Sequence, residues 1–345
     1  MNPEACAVAT WFVADSPESG TYFPQIESRS DLASSQAIYW RCVVGFFASS
    51  LAVNPSCRHV FFTNADVPTV DGLDIGDLLA RWGVDIVHLP ITWRLPPRSV
   101  ESWGNQFYVF DVLQYWGATG GDLPLILLDS DCVWIRSALE IAEAIRKHGA
   151  VTYELQGPAE ERINGVSRIE LAHFASRYTA AIASDAIPYS AGEFIAVSSE
   201  VAARISERAV SLWPDVLVQG EGAPREEAHL LSVIYAIEGF DAGGANGVIR
   251  RMWTTFRHND VCSADMELAI WHLPAEKRTG FADLFKQISE NSRLDPRRDS
   301  GQIGLRLENY ARIMGVPRRG AAKRVRDLTL KVRGKVGSRF DGWRP

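Results

Sequence analysis

The chain has too few cysteines, in the wrong arrangement, for a metal ribbon or a disulfide framework. Cys6, Cys42, Cys57, Cys132 and Cys262 are scattered over 345 residues, odd in number and without a Cys-x-x-Cys pair. That pattern excludes small cross-linked classes and favours a reducing, cytoplasmic setting. Long apolar runs are missing as well. No stretch approaches about 18 uninterrupted apolar residues, so no membrane span is expected. The N-terminal stretch MNPEACAVATWFVADSPES has no basic n-region and only a brief apolar run, so no signal peptide is expected either. A basic folded surface is also lacking. The net charge is −6, yet Val316 to Pro345 holds ten Lys or Arg against two Asp, a local balance of +8 that leaves −14 on the preceding 315 residues. An acidic body with a basic tail is not the footprint of a nucleic-acid-binding domain, and no nucleic-acid partner is expected.

What is present is an ordinary globular composition, 46% apolar and 23% charged, in a chain long enough for one large α/β domain or two small ones. Strand and helix patterns alternate through the first two thirds. Strands are expected at Ala5–Val13, Arg58–Thr63, Asp85–Leu89, Pro124–Leu128 and Ala150–Tyr153. Helices are expected at Gln36–Val53, Ile75–Trp82, Trp103–Trp116 and Ala138–Lys147. Further on, Ala159–Ala181 reads as helix, Glu193–Val197 as a short strand, and Glu200–Leu212 as a helix stopped by Trp213-Pro214. A helix over Arg225–Ile237, strands over Val248–Thr254 and Leu268–His272, and helices over Ala282–Ser289 and Leu305–Met314 complete the pattern. Such alternation implies an α/β fold with a doubly wound, mostly parallel central sheet, flanking helices and an elaborated C-terminal half, with ligands at the carboxyl ends of the strands.

The apolar run Leu125-Ile-Leu-Leu128 ends abruptly in Asp129-Ser130-Asp131. Buried carboxylates are costly unless they are paired or bind metal. If the extended conformation continued, both aspartates would point the same way. Two carboxylates at the carboxyl end of a core strand suit Mg²⁺ or Mn²⁺; the plainer alternative is a turn in which they cap backbone amides. Ser130 could reach a ribose or ordered water, or bond its own backbone. A second cluster, Ile270-Trp-His272-Leu-Pro-Ala-Glu-Lys277-Arg-Thr-Gly280, lies far downstream. It offers an imidazole for a divalent metal and a compact ammonium for phosphate.

Together these segments resemble retaining glycosyltransferases of the GT-A fold, especially the glycogenin-like and bacterial galactosyltransferase-like group called family 8. Asp129 and His272 stand 143 positions apart, with Lys277 five beyond the histidine. Ala191-Gly192-Glu193-Phe194-Ile195 is similar to the family's Asn-x-Gly strand, with Ala191 in place of Asn. Glu226-Glu227, opening a helix, falls where the family has a polar pair. The resemblance spans residues 5–282 in order and spacing. It implies a GT-A-like domain over 1–290, followed by a helical extension over 291–345 with the basic tail. It also implies a metal site of Asp129, Asp131 and His272 holding Mn²⁺ or Mg²⁺ against the diphosphate of a nucleotide sugar, with Lys277 as a second cation. A UDP-sugar is the favoured donor, and the acceptor would be a glycan, a lipid-linked glycan or a small molecule. Retention of configuration is expected.

Around that centre the nucleotide-side candidates are Asp15, Asn105, Gln106, Ser130, Lys277 and Gly280, with Tyr22, Trp11, Asn64 and Asp66 as further nucleoside contacts. Glu193, Glu226 and Glu227 are candidates for acceptor positioning or a base; for Glu226-Glu227 the alternative is favourable charge at a helix N-terminus. Arg250-Arg251 and Arg257-His258 are candidates for phosphate or an anionic acceptor, or plain surface charge. Two other readings remain: a non-catalytic nucleotide-sugar-binding protein of the same fold, and a nucleotidyltransferase. The second normally needs a basic Gly-rich loop after the first strand, and Ala14–Gly20 has no Lys or Arg. In the tail, Val325, Leu328, Val332 and Val336 share a helical face amid basic residues. That face would suit peripheral contact with an anionic membrane's inner surface or packing on the acidic body.

Overall fold

A computed structural model describes residues 4–96, 102–180, 182, 185–240, 244–321 and 323–325. Its centre is a sheet of β1 (Ala7–Phe12), β2 (Arg58–Thr63), β3 (Val84–His88), β4 (Leu125–Leu128), β6 (Ala150–Leu155) and β7 (Tyr189–Val197) in the order β6-β7-β4-β1-β2-β3. Strands β1 to β4 pair in parallel, and β7 alone runs against the other five. This is the expected α/β fold, a mostly parallel sheet with helices on both faces.

Side chains alternate across the strands and so divide the core in two. Ile126 and Leu128 face α1 (Ala33–Val53), whose Trp40, Val43, Phe46 and Phe47 are fully or almost fully buried. Leu125 and Leu127 face α3 (Tyr108–Thr119) and α6 (Ser199–Val218) on the opposite side. By length and composition α1 could cross a membrane, but most of it is buried as a core helix. Helices α8 (Gly280–Glu290), α9 (Pro296–Ile303) and α10 (Leu307–Met314) join the α1 layer, so Ile303, Tyr310 and Met314 belong to the same apolar core as β1 and β4. α2 (Ile75–Arg81), α4 (Leu139–His148), α5 (Arg168–Ser176) and α7 (Glu227–Glu238) complete the layers.

A second, three-stranded sheet carries several of the candidate site residues. β9 (Ile270–His272) lies between β8 (Ile249–Arg251), parallel to it, and β5 (Cys132–Trp134), antiparallel.

Several expected boundaries move. Trp103–Trp116 is not one helix: Trp103 sits at φ +50, residues 104–107 form turns, and α3 begins only at Tyr108. Ala159–Ala181 is likewise not helical throughout. A hairpin of Arg162–Ile163 and Val166–Ser167 turns at Asn164-Gly165, both at positive φ, before α5 starts on a Ser167/Glu170 capping box. Pro214 does not stop α6, which continues to Val218 because Leu212 and Val216 are buried beyond the local cost of the ring. The paired aspartates do not continue a strand either; the Cys132 N–H donates to Asp129 O at 3.2 Å and closes a turn. Of the tail, 316–321 and 323–325 are described, and of the expected face only Val325. Lys323 is buried against the body and Val325 is exposed, while Leu328, Val332 and Val336 lie outside the described residues.

Candidate metal centre

Register assembles the site. Pairing of β5 with β9 sets His272 opposite Cys132, and pairing of β8 with β9 sets Arg251 beside His272. The Leu273 N–H donates to Asp131 O at 3.0 Å and fixes the strand end against the aspartate turn. On the other flank, the Asp129 N–H donates to Glu193 O at 3.2 Å, which draws β7 alongside. Residues from four distant parts of the chain therefore meet at the carboxyl end of β4.

His272 Nε2 lies 3.2 Å from Asp131 Oδ2 and 3.8 Å from Asp129 Oδ2. The ligand atoms of these three residues all fall within 4.8 Å of one another. Nδ1 of the same ring is 3.2 Å from Glu193 Oε1, and Glu193 is held in turn by Arg251 through two bonds of 2.8 and 2.6 Å. With Nδ1 committed to the carboxylate, Nε2 faces the aspartates, buried and without an aligned hydrogen-bond partner. A histidine held by a carboxylate on one nitrogen, with the other aimed at two carboxylates, is a donor set able to hold a metal ion. The residues fit such an ion.

The electrostatics agree. Burial and the neighbouring Asp131 charge raise the Asp129 carboxyl to about 6. Burial pushes Asp131 the same way, but Lys277 and His272 outweigh it and hold this carboxyl well below the usual range. For His272, burial favours the neutral ring, yet Asp131 prevails and lifts it to about 9. Glu193 is held low because Arg251 and His272 overcome its burial. Lys277 Nζ pairs with Asp131 and sits 5.5 Å from the Tyr39 ring. Three carboxylates thus face Arg251, Lys277 and a protonated imidazole. A divalent cation can replace that proton and keep the cluster neutralised.

A cleft of ≈ 1010 Å³, its open mouth included, lies over the cluster. Its lining includes the aromatic Trp11, Phe12, Phe23, Tyr39 and Trp103 and the polar Gln106, Asn164, Tyr189, Glu226 and Glu227. The Tyr189 hydroxyl and the Asn164 amide both donate to Glu226, and His229 Nε2 is 3.3 Å from it. Glu227 is different. Its Oε2 is buried with no partner, and burial together with the Glu226 charge pushes its carboxyl well above the usual range. Glu226 is the N-cap residue of α7 without a side-chain cap bond, and Glu227 stands in the first turn, where the expected favourable helix charge would act.

Asp129, Ser130, Asp131, His272, Lys277, Asn105, Gln106, Glu193, Glu226, Glu227, Trp11 and Arg251 all line the cleft. Asp15 stands behind it, its carboxyl raised by burial while accepting bonds from Ser30 at 2.7 Å and Asn105 at 3.2 Å. Gly280 is not among the cleft residues. Its N–H donates to Glu276 Oε2 at 3.0 Å, and a Cβ there would overlap Met314 Sδ, so packing requires the glycine. Asn64 braces the end of β1 through two bonds to the Ala14 backbone, at 2.9 and 3.0 Å. Asp66 and Tyr22 are not among the cleft residues; Arg250 is paired with Asp265, and Arg257 and His258 are exposed. Trp253 also lines the cleft, and the sequence singles out neither it nor Asn164, Tyr189 and Trp103 as site residues. The Asn-Gly turn was a usable signal for Asn164; nothing local marks the others. Comparison with protein-family models gives no match, and neither does comparison with curated proteins.

Proposed function

We propose that this chain is a metal-dependent glycosyltransferase of the GT-A type, moving a hexosyl group from a nucleoside-diphosphate sugar, with UDP favoured, to a glycan, lipid-linked or small-molecule acceptor. One observation carries the reading. Asp129, Asp131 and His272 converge with Lys277 under a cleft whose lining combines aromatic rings with carboxyl, amide and hydroxyl groups. A flat nucleobase suits the aromatic rings, a sugar suits the carboxyl and hydroxyl groups, and a diphosphate suits the metal ligands and Lys277.

Asp129, Asp131 and His272 would hold Mn²⁺ or Mg²⁺, and that ion would supply Lewis-acid neutralisation of the departing diphosphate. Glu193 orients His272, and Arg251 orients Glu193. Lys277 contributes a fixed positive charge from a site where Asp131 keeps it protonated. Glycosyl transfer passes through an oxocarbenium-like state, so hydrogen bonds to sugar hydroxyls that strengthen there lower the barrier. The Glu227 carboxyl, kept protonated by burial, can donate one; Glu226, fixed by Tyr189 and Asn164, can accept one. Retention is the outcome that the family resemblance implies.

A thermal-shift screen of nucleoside diphosphates and sugar nucleotides, with Mn²⁺ or with chelator, tests the proposal. UDP and a UDP-sugar should stabilise the protein only with the metal, and release of UDP with an acceptor present should follow. The reading fails if no nucleotide stabilises the protein and Asp131→Ala behaves like wild type throughout. Binding without turnover would instead favour the non-catalytic alternative.

A further inference from the structure

We propose that Lys323, at the root of the basic tail, is a positioning residue of the cleft. It holds Glu276 and, through it, the short link that joins His272 to Lys277. Lys323 Nζ lies 2.6 Å from Glu276 Oε2, with both side chains buried. Glu276 closes the 3₁₀ turn Pro274–Glu276, directly after the strand that ends in His272 and directly before Lys277. The same Oε2 accepts from Thr279 Oγ1 at 2.6 Å and from the Gly280 N–H at 3.0 Å, while Oε1 accepts from the Thr254 hydroxyl. One carboxylate therefore ties together four segments: the link itself, the start of α8, the strand leaving Arg251, and the tail root.

The surroundings are shaped for this lysine. Gly315, the left-handed residue that ends α10 at φ +80, leaves space that a Cβ would take from Lys323, at 2.9 Å from its Cε. A buried ion pair is favoured only when every lone pair and proton is satisfied, and here the carboxylate has a full set of donors. The carboxylate it fixes belongs to the link between a candidate metal ligand and a candidate phosphate-binding cation. Losing Lys323 would cut the tie between the tail root and Glu276 and leave that buried carboxylate short of one of its partners. The inference rests on the metal and diphosphate reading for its functional consequence, and on geometry alone for its structural one.

The test compares the full chain with K323M, K323R and the double variant K323M/E276Q, which carries no unpaired buried charge. Hydrogen–deuterium exchange of peptides covering 272–280 is measured without ligand, and Mn²⁺–UDP affinity is measured by titration. In K323M, exchange across 272–280 should rise about 10-fold while the central sheet is unchanged. Affinity should fall by about 10-fold, as for other groups that orient a ligand shell. K323R should recover most of both, and the double variant should show the same local increase in exchange. A rise spread evenly over the core, or none in 272–280, overturns the proposal. If wild type binds neither Mn²⁺ nor UDP, the glycosyltransferase reading falls, and the exchange measurement still decides the role of Lys323.

Discussion

Glu193 and His272, seventy-nine residues apart in the chain, meet at 3.2 Å through Oε1 and Nδ1, and this contact decides which imidazole nitrogen faces the aspartates. It depends on Arg251, which sits beside His272 in the register of β8 and β9 and holds both oxygens of Glu193.

Replacing that carboxylate should therefore harm the metal site without touching a ligand. Glu193→Gln keeps the shape but weakens the hold on both His272 and Arg251. Mn²⁺ affinity should drop by about 10-fold, read by calorimetry. Unchanged affinity would mean that the His272 ring is oriented by packing alone.

Glu227 should show the reverse relationship between stability and activity. Its Oε2 has no partner, so removing the carboxyl deletes a buried unsatisfied group. Glu227→Ala should melt at or above the wild-type temperature, while turnover falls by about 100-fold and UDP affinity is kept. A lower melting temperature with intact turnover would make Glu227 a structural residue.

Gly192 offers a steric route to the same carboxyl. A Cβ there would overlap Glu227 Oε1, so Gly192→Ala must push Glu227 away. The variant should cost about 1–3 kcal/mol of stability through overpacking and lose turnover as Glu227→Ala does. In the Glu227→Ala background, Gly192→Ala should have little further effect, and an additive loss would contradict the coupling.

Acid sensitivity should come in part from a histidine far from the cleft. His59 is buried with Nε2 at 2.9 Å from the Ser50 hydroxyl and Nδ1 at 3.1 Å from Cys57 O, and burial lowers it to about 3. A depressed histidine lets the unfolded chain bind the proton first, so its contribution is intact above about pH 6.5 and is lost as pH falls toward 3. Between pH 7 and pH 5 the loss is about 2 kcal/mol. Denaturant titrations of His59→Gln should show a pH dependence smaller by that amount. His229, also lowered by burial, pulls in the same direction.

Much of the sheet was legible because strand and helix periods alternate cleanly, and Leu125–Leu128 delivers its aspartates where a parallel strand presents ligands. The pairing of Asp129 and Asp131 with His272 and Lys277 came from spacing and resemblance. What brings them together was hidden: β5 is only three residues long, and no local pattern reveals that it pairs with β9. Arg251 looked like one of two surface arginines because only the β8–β9 register separates its fate from that of Arg250. Trp103 and Asn105 were drawn into a helix by the apolar spacing of Phe107 and Phe110, which a left-handed Trp103 breaks. The hairpin at Asn164-Gly165 has two local signals, its turn dipeptide and the following Ser167-x-x-Glu170 box, and both outweigh the helical period around them. The apolar residues of α5 gave a helical period that was extended too far back.

The central claim is that Asp129, Asp131 and His272 hold a divalent cation that in turn holds a diphosphate. Electron paramagnetic resonance of Mn²⁺ titrated into the protein, with and without UDP, reads this directly, because free and bound Mn²⁺ give different signals. Wild type should bind one Mn²⁺ more tightly with UDP present, and Asp131→Ala should bind none at the same concentrations. Equal Mn²⁺ binding by wild type and Asp131→Ala, or no effect of UDP on either, would contradict the account.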